Sequence, residues 1–353
     1  MRHFDYLELA DKMWDTDILN LVARIHEFKG RQDVLVRQEP AKLERLVEIA
    51  RIQSTEASNR IEGIVTTSAR MKQLFAEKTT PRTRDEDEIM GYRDVLNTIH
   101  ESSAYIPVRP SYILQLHRDL MRRSGVSHGG RYKSAQNYIN ETKPDGTTIT
   151  RFTPVAPYET PEAVQAICDA YERAVASEAV DALLLIPCFI VDFLCIHPFN
   201  DGNGRMSRLL TLLLLYRSGY DIGKYISIER QIEMTKDRYY DALERADGGW
   251  HEGTGDPSPF IRYMLAVVLA CYTEFEDRVG MVSADDGKSA YDAVRAYVEA
   301  KVGRFTSADV LSHCLGIGRS SALSALKRLT EEGVILRMGS GRGTYYVRSD
   351  SIE

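Results

Sequence analysis

The sequence has few of the features that mark secreted or membrane proteins. It contains five cysteines in 353 residues, and no two of them form a Cys-x-x-Cys pair. Four of these cysteines lie in apolar helical runs, which predicts buried free thiols in a reducing compartment. No apolar run reaches transmembrane length, and the first residues contain no apolar signal-peptide core. These absences predict a cytoplasmic protein without a membrane segment.

An excess of positive charge is also missing. The formal net charge is −6, with 43% hydrophobic and 27% charged residues, and no internal repeat or low-complexity segment is visible. This composition is typical of a globular protein. It argues against nucleic-acid binding by the whole surface, although a local basic patch can still bind. The length of 353 residues indicates roughly two or three domains.

The most informative stretch is Ile196–Arg208, which reads IHPFNDGNGRMSR. Apolar runs precede and follow it, and both are predicted to be buried helices. Its glycines allow backbone N–H groups to approach an anion, and the helix that begins near Asn203 directs its positive dipole end toward that anion. Arg205 and Arg208 lie one turn apart on one helix face, and an arginine binds two oxygens of an oxyanion at once. The stretch therefore predicts a phosphate site.

Two further residues of this stretch indicate chemistry in addition to binding. Asp201 offers hard oxygen ligands of the kind that Mg²⁺ takes alongside substrate phosphates. His197 is a candidate general base, because a neutral imidazole with an ordinary pKa of about 6.5 accepts a proton at neutral pH. Taken singly, a histidine before a proline is usually a loop residue, and Gly-Asn-Gly is usually a turn. The order of all these residues together indicates a functional site.

The string His-Pro-Phe-x-Asp-Gly-Asn-Gly-Arg-x-x-Arg resembles the signature of the Fic family at every defined position. The resemblance implies a mainly α fold, with a Fic helical core and a β-hairpin called the flap. It also implies transfer of AMP from ATP to a Ser, Thr or Tyr hydroxyl of a target protein, with release of pyrophosphate. In that reaction His197 takes the proton of the hydroxyl, and Asp201 holds Mg²⁺. The residues implied in phosphate contact are Gly202, Asn203, Gly204, Arg205 and Arg208.

A second resemblance lies upstream, in Ser58-Asn59-Arg60-Ile61-Glu62-Gly63. Its composition predicts a helix C-terminus with Gly63 as the C-cap. The negative dipole end disfavours an acid there, so Glu62 is either a solvated residue or has an arginine partner elsewhere in the fold. The pattern Ser-x-x-x-Glu-Gly resembles the inhibitory motif of many Fic proteins, which implies an inhibitory role for Ser58, Glu62 and Gly63. We expect Arg208 to be the partner of Glu62.

Residues 132–152 predict a β-hairpin inside the helical core, because β-prone residues flank the turn signal Pro144-Asp145-Gly146. This hairpin resembles the flap, whose edge in the family pairs with the target segment that presents the hydroxyl, a form of strand addition. Relatives often carry an arginine three residues after the glycine that opens this segment. Here Gly130 is followed by Lys133.

Tyr239 and Tyr240 lie in the stretch Ile228–Arg245, which is predicted to be one helix. Relatives use this region to wall a nucleotide base. The alternative is that one tyrosine packs in the core and the other is half-exposed. The sequence favours neither of these two alternatives.

The chain is divided into an N-terminal helical region with the inhibitory motif (1–105), the Fic catalytic core (106–281) and a C-terminal domain (289–353). The first helix is predicted to span Asp17–Phe28 and to end at Lys29-Gly30. Residues 282–288 have the composition of a linker. Beyond it, the pattern of three helices and a hairpin, with Thr306 or Ser307 as the N-cap of the second helix and a turn at 316–318, resembles a small winged-helix domain. DNA or protein as its partner, and a homodimer of the chain, are left open. Its basic residues are Arg319, Lys327, Arg328, Arg337 and Arg342.

Two alternatives to AMP transfer are also left open. The same fold could remove AMP from a target, with Glu62 orienting water, or could transfer another phosphate-containing group. The chain could instead be a transcription regulator whose Fic core senses a nucleotide. The intact signature favours catalysis, because a sensor has no need of His197.

Overall fold

The structure is a computed structural model that describes residues 3–38, 40–76, 78–125, 128–142, 146–284, 290–301, 303–314 and 319–349. This part of the chain is mainly α-helical and contains two antiparallel β-hairpins. It divides into two compact units, Met1–Leu35 with Leu46–Tyr272 and Val36–Arg45 with Thr273–Glu353. None of the described helices is long and apolar enough to cross a membrane.

The helices that precede the flap carry the predicted inhibitory motif. They are α1 (Glu8–Asp11), α2 (Thr16–Gln38), α3 (Pro40–Ile61), α4 (Ser68–Phe75), α5 (Arg84–Ser102) and α6 (Pro110–Met121). The prediction that Lys29-Gly30 ends the first helix is wrong, because α2 continues to Gln38. A glycine inside a helix costs only about 1 kcal/mol. Buried neighbours on either side, Phe28 and Gln32, keep this turn helical.

The predicted flap hairpin is present. Strands β1 (Ile139–Thr142) and β2 (Thr148–Phe152) pair antiparallel, with Thr142 opposite Thr148 and a register irregularity after Ile139. Two residues of the predicted turn, Pro144 and Asp145, lie outside the described residues. The third, Gly146, has a φ of 82°.

The centre of the first unit is formed by two apolar helices that enclose the signature. The helices from the flap onward are α7 (Thr160–Ser177), α8 (Ala182–Ile196), α9 (Asn203–Arg217), α10 (Ile228–Met234), α11 (Lys236–Asp247) and α12 (Ser258–Ala284). Helices α8 and α9 are buried almost all round, which is the pattern of core helices. Because the loop between them joins two buried elements, the core fixes its position.

The single helix predicted over Ile228–Arg245 is instead α10 followed by α11. The break is at Thr235, which has φ −121° and ψ 30°. Its hydroxyl donates to the Gln231 carbonyl oxygen at 2.7 Å and shares a hydrogen bond with the Tyr263 hydroxyl at 2.8 Å. Back-bonding of a threonine to the carbonyl four residues earlier is a known way to bend or interrupt a helix. Hydrophobic periodicity does not report such a break.

The second unit contains the predicted order of three helices and a hairpin. Its elements are α13 (Ala290–Ala300), α14 (Ser307–His313), α15 (Arg319–Glu331), β3 (Ile335–Met338) and β4 (Tyr345–Arg348). Thr306 is the N-cap of α14, as predicted, and forms a capping box with Asp309. The predicted turn at 316–318 lies outside the described residues. The winged-helix interpretation stays a prediction.

Two basic residues of α15 are each paired with an acid four residues later, at or just after the end of the helix. Lys327 Nζ lies 3.7 Å from Glu331, and Arg328 Nε lies 2.9 Å from Glu332. These pairs reduce the positive charge that α15 offers to DNA, and DNA contact stays a prediction. The predicted linker at 282–288 begins inside α12, whose last residue is Ala284. The predicted domain limits likewise stay predictions.

Candidate active site

A cavity of about 540 Å³ lies at the N-terminus of α9, within the size range of small-molecule sites. Its lining combines apolar side chains with charged ones. The apolar group includes Ile139, Val191, Leu194, Cys195 and Leu243. The predicted site residues that line it are Glu62, His197, Asp201, Gly202, Asn203, Gly204, Arg205, Arg208, Tyr239 and Tyr240. The structure therefore brings the signature, the glutamate of the predicted inhibitory motif and the tyrosine pair together.

His197 ends α8 in a left-handed conformation with a φ of 51°. Such a φ is uncommon for a residue with a side chain, and backbone strain of this kind clusters at functional sites. Its Nδ1 lies 3.1 Å from the Leu194 carbonyl oxygen. Because a carbonyl oxygen only accepts, Nδ1 carries the proton and Nε2 has a free lone pair. Burial lowers the pKa of His197 to about 4, so the imidazole is neutral at pH 7 and can act as a base.

Sequence reasoning missed the flap residues that hold the signature loop. The Lys133 backbone N–H donates to the Pro198 carbonyl oxygen at 2.9 Å, and its Nζ donates to the Ile196 carbonyl oxygen at 2.9 Å. Asn137 Nδ2 donates to the Phe199 carbonyl oxygen at 3.0 Å. Burial lowers the pKa of Lys133 to about 8. The lysine that departs from the family pattern is thus a support of the loop, and that departure was the sequence signal for it.

His117 of α6 is a second support that the sequence did not indicate. Its ring stacks on Phe199, with centroids 3.6 Å apart and an interplanar angle of 9°. Its Nδ1 accepts from the Gly130 N–H at 3.0 Å, so Nε2 carries the proton and donates to the Asp201 carbonyl oxygen at 3.0 Å. Burial lowers the pKa of His117 to about 4. A neutral His117 therefore braces the loop without adding charge.

Asn203 closes the loop through its side chain. Its Oδ1 accepts from the Phe199 N–H at 2.9 Å, and its Nδ2 donates to the Phe199 carbonyl oxygen at 2.8 Å. The side-chain amide that was expected to help cradle phosphates is engaged in these two bonds. This leaves phosphate contact by Asn203 to its backbone N–H. Gly202, with a φ of 82°, provides the turn that starts α9.

Arg208 donates three hydrogen bonds to the predicted inhibitory motif. Its Nε donates to Ser58 Oγ at 2.8 Å, and its Nη2 donates to the Ser58 carbonyl oxygen at 2.9 Å and to Glu62 Oε1 at 2.7 Å. Burial alone would lower the pKa of Arg208, but the charges of Glu62, Tyr239 and Tyr92 and the hydrogen bond to Glu62 together outweigh it, and the net shift is upward. Gly63 has a φ of 80° and ends the helix, as expected for the C-cap. The arginine partner expected for Glu62 is therefore Arg208.

The Glu62 carboxylate lies against the first turn of α9. A Cβ built on Gly204 would overlap with Oε1 of Glu62. The N-terminus of a helix is an anion site, because its first N–H groups and its dipole favour negative charge. The Glu62 carboxylate thus lies at the α9 N-terminus, where the signature predicts a phosphate.

Arg205 has a different partner. Its Nη1 lies 2.8 Å from Glu88 Oε2, and the two side chains are 1% and 5% exposed. Its Nη2 lies 3.8 Å from Asp201 Oδ1. The other oxygen of Glu88, Oε1, accepts from Arg84 Nε at 2.8 Å. Glu88 and Arg84 also line the cavity, and neither was singled out by the sequence analysis.

Asp201 fits a Mg²⁺ site that is completed by a ligand. Its carboxylate is 48% exposed and lines the cavity, and Oδ1 also accepts from the Gly202 N–H at 2.6 Å. Among the described residues no group of three or more His, Cys, Asp or Glu could hold a metal ion. Mg²⁺ is commonly bound through one or two carboxylates plus substrate phosphates. The donor set therefore fits a phosphate-bridged ion and not a cage made by protein alone.

The tyrosine pair is divided between core and cavity. Tyr239 is 3% exposed and Tyr240 44% exposed, with ring centroids 5.3 Å apart. Tyr239 is therefore the core residue and Tyr240 the half-exposed one, as the second interpretation expects. Both line the cavity, and contact with a nucleotide base stays a prediction. Nearby, Arg151 of the flap donates from Nη1 to both carboxylate oxygens of Asp247 at 3.0 and 2.7 Å. This ion pair links β2 to the end of α11.

Comparison with known proteins places this site in a family. Residues 107–215 match the sequence profile described as the Fic/DOC family. The structure is similar to the crystal structure of a Fic family protein from Desulfovibrio desulfuricans G20, with a TM-score of 0.62, 24% identity and coverage of 96% of this chain and 97% of that one. The fold is thus a Fic fold, mainly helical with a small hairpin. Residues 107–215 therefore form a domain that is similar to the Fic/DOC family.

Curated relatives carry more specific names. The chain is 27% identical over 267 residues to "Protein adenylyltransferase Fic" of Drosophila erecta, which covers 72% of this chain and 49% of that protein. It is 27% identical over 184 residues to "Protein adenylyltransferase fic-1" of Caenorhabditis elegans, covering 51% of this chain and 32% of that protein. The chain therefore spans about half or less of the length of these relatives.

Proposed function

We propose that this protein is an adenylyltransferase that transfers AMP from ATP to a hydroxyl of a target protein. The observation that carries the proposal is His197, which has a lone pair on Nε2 and lines a cavity that also contains a helix N-terminus, two signature arginines and Asp201. The names of the curated relatives favour transfer over the regulatory and reverse alternatives.

The residues perform the reaction in the following way. His197 Nε2 takes the proton as the target hydroxyl oxygen attacks the α-phosphorus, and the bond to the β-phosphate oxygen breaks to release pyrophosphate. The backbone N–H groups of Gly202–Gly204 and the α9 dipole stabilise the negative charge of the phosphates. Arg208 binds the terminal phosphate, and Tyr240 borders the base. Mg²⁺, held by Asp201, would neutralise phosphate charge. Positioning and charge stabilisation supply the catalysis.

The flap presents the target. Strands β1 and β2 form a two-stranded sheet with a free edge, and β1 is exposed along Asn140 and partly along Ile139. A segment of the target adds to this edge through backbone hydrogen bonds, which fixes its hydroxyl near His197 and places few demands on sequence.

The resting protein is autoinhibited by Glu62. While Glu62 holds Arg208 at 2.7 Å, Arg208 cannot bind the terminal phosphate, and the Glu62 carboxylate lies at the α9 N-terminus. ATP then binds with its α-phosphorus out of line, and a misplacement of about 1 Å can cost on the order of a hundredfold in rate.

The test is incubation of the purified protein with ATP and Mg²⁺, followed by intact-mass spectrometry and an α-labelled ATP assay. We expect covalent label on Glu62→Gly protein or an added target, and its loss in His197→Ala by about 10²–10⁴-fold, with ATP binding retained. His26→Ala, which removes an imidazole that is 47% exposed and lies outside the cavity lining, is the matched control. Equal labelling by His197→Ala and the parent protein would refute the assignment of the base.

A further inference from the structure

Arg84 is a charged residue of the cavity lining to which the signature assigns no role. It is the first residue of α5, and its side chain is 64% exposed. Its Nε donates to Oε1 of Glu88 at 2.8 Å. The other oxygen of the same carboxylate, Oε2, lies 2.8 Å from Arg205. One buried carboxylate therefore lies between two guanidinium groups.

Arg84 is the exposed member of this cluster. Two arginines share one glutamate, and the next acid, Asp201, lies 3.8 Å from Arg205. Arg205 and Glu88 are 1% and 5% exposed, so it is Arg84 that offers a positive charge to the open part of the cavity. The bond to Glu88 uses only the Nε–H of Arg84. The terminal fork of an arginine is suited to two phosphate oxygens at once.

The place of Arg84 in the cavity is at its phosphate end. Glu88 joins Arg84 to Arg205, and Arg205 Nη2 lies 3.8 Å from Asp201 Oδ1. Arg84, Asp201 and Gly202–Gly204 all line the same cavity. Arg208, in contrast, is occupied by Ser58 and Glu62.

We propose that Arg84 binds the terminal phosphates of ATP, and the pyrophosphate formed from them, and that Glu88 is a positioning residue that orients Arg84 and Arg205. The inference rests on the proposed function and adds a binding residue to it. Because Arg84 needs no release from Glu62, it gives the autoinhibited protein a first contact for the terminal phosphates.

The experiment is calorimetric titration of the full chain in the Glu62→Gly background with ATP, AMP and inorganic pyrophosphate. We expect Arg84→Ala to weaken the binding of ATP and pyrophosphate about tenfold, since a hydrogen bond to a charged group contributes about that factor. AMP, which lacks the terminal phosphates, should bind within about twofold of the parent. Arg84→Lys keeps the charge but loses the planar guanidinium fork. Its affinity for ATP and pyrophosphate should lie between that of the parent and that of Arg84→Ala.

A matched control is Arg295→Ala. Arg295 makes the same type of bond, from Nε to a glutamate four residues later at 2.9 Å, with a side chain 48% exposed, and is absent from the cavity lining. It should leave all three titrations unchanged. Unchanged ATP affinity in Arg84→Ala, or equal losses for ATP and AMP, would overturn the proposal for Arg84 alone. A Glu62→Gly protein that binds no ATP would instead refute the proposed function and this inference with it.

Discussion

The two signature arginines lie one turn apart on the same helix, and each is paired with a glutamate, but the two pairs differ in exposure. Glu62, the partner of Arg208, is 33% exposed and follows the last residue of a helix. Glu88, the partner of Arg205, is 5% exposed and lies inside α5. Water or a phosphate can replace the first carboxylate, while the second is almost fully buried. The same pair of residue types therefore serves as a releasable contact in one place and as a permanent support in the other.

The largest expected effect tests whether the releasable arginine is needed for transfer. Arg208→Ala in the Glu62→Gly background should lower AMP transfer by about 10³-fold or more, the range of arginines that stabilise a transferred phosphoryl group. Both partners of the ion pair are removed, so no buried charge is left alone and folding should be preserved. Labelled ATP measures the rate, and thermal unfolding checks the fold. A folded double variant as active as Glu62→Gly would exclude Arg208 from the phosphate site.

The second effect is a difference in the free energy of unfolding between variants that lose one glutamate or the other. Glu88→Gln leaves Arg205 buried with its charge uncompensated and should lower the free energy of unfolding by about 3–5 kcal/mol. Glu62→Gln should change it by about 1 kcal/mol or less, because the Glu62 carboxylate is 33% exposed and Arg208 keeps both hydrogen bonds to Ser58. An acid near a helix C-terminus is also unfavourable.

Urea denaturation of both variants gives this comparison directly. Glu299→Gln, which breaks the exposed pair with Arg295, is the control and should be near neutral. If the Glu88 and Glu62 variants lose equal stability, the distinction between a support and a releasable contact is wrong.

The third effect concerns release. Glu62→Gly should raise AMP transfer about tenfold or more, equivalent to about 1.4 kcal/mol of barrier, because it frees Arg208 and clears the space beside Gly204. The rate of self-modification or of target labelling measures it, with Glu56→Gly on the same helix as a control for helix weakening. A variant that transfers no more label than the parent protein would show that Glu62 does not inhibit, and reduced activity on an AMP-modified target would favour the reverse reaction.

The smallest effect is one of pH, and it concerns the base and not the arginine pairs. The pKa of His197 is lowered to about 4 by burial, below its ordinary value of about 6.5. The neutral base is therefore fully present at pH 6, and transfer by Glu62→Gly should change less than about twofold between pH 8 and pH 6, then fall as the pH approaches 4. An inflection near pH 6.5 in the rate profile would contradict the buried, neutral His197.

Much of the fold and of the site could be predicted, because helices, caps and turns depend largely on residues that are adjacent in sequence. The apolar runs before and after the signature gave helices within one residue of α8 and the N-terminus of α9. Thr306 and Gly63 were recognisable as caps because capping depends on a few adjacent residues. The errors fell where contacts distant in sequence outweigh local preference, as at Gly30 inside α2 and at Thr235 between α10 and α11.

The sequence by itself determined the chemistry: a histidine, an acid, a glycine turn and two arginines in an order that predicts a phosphate site. Only the tertiary structure decided the protonation, the partners and the exposure of these groups. It selected the protonated nitrogen of His197 through the Leu194 carbonyl, and it gave the two arginines different partners from α5 and from the residue that follows α3. Arg84 and His117 reach the site from helices far away in the chain. Spacing along a chain specifies which groups share one helix face, whereas exposure, tautomer and charge pairing depend on what packs against that face.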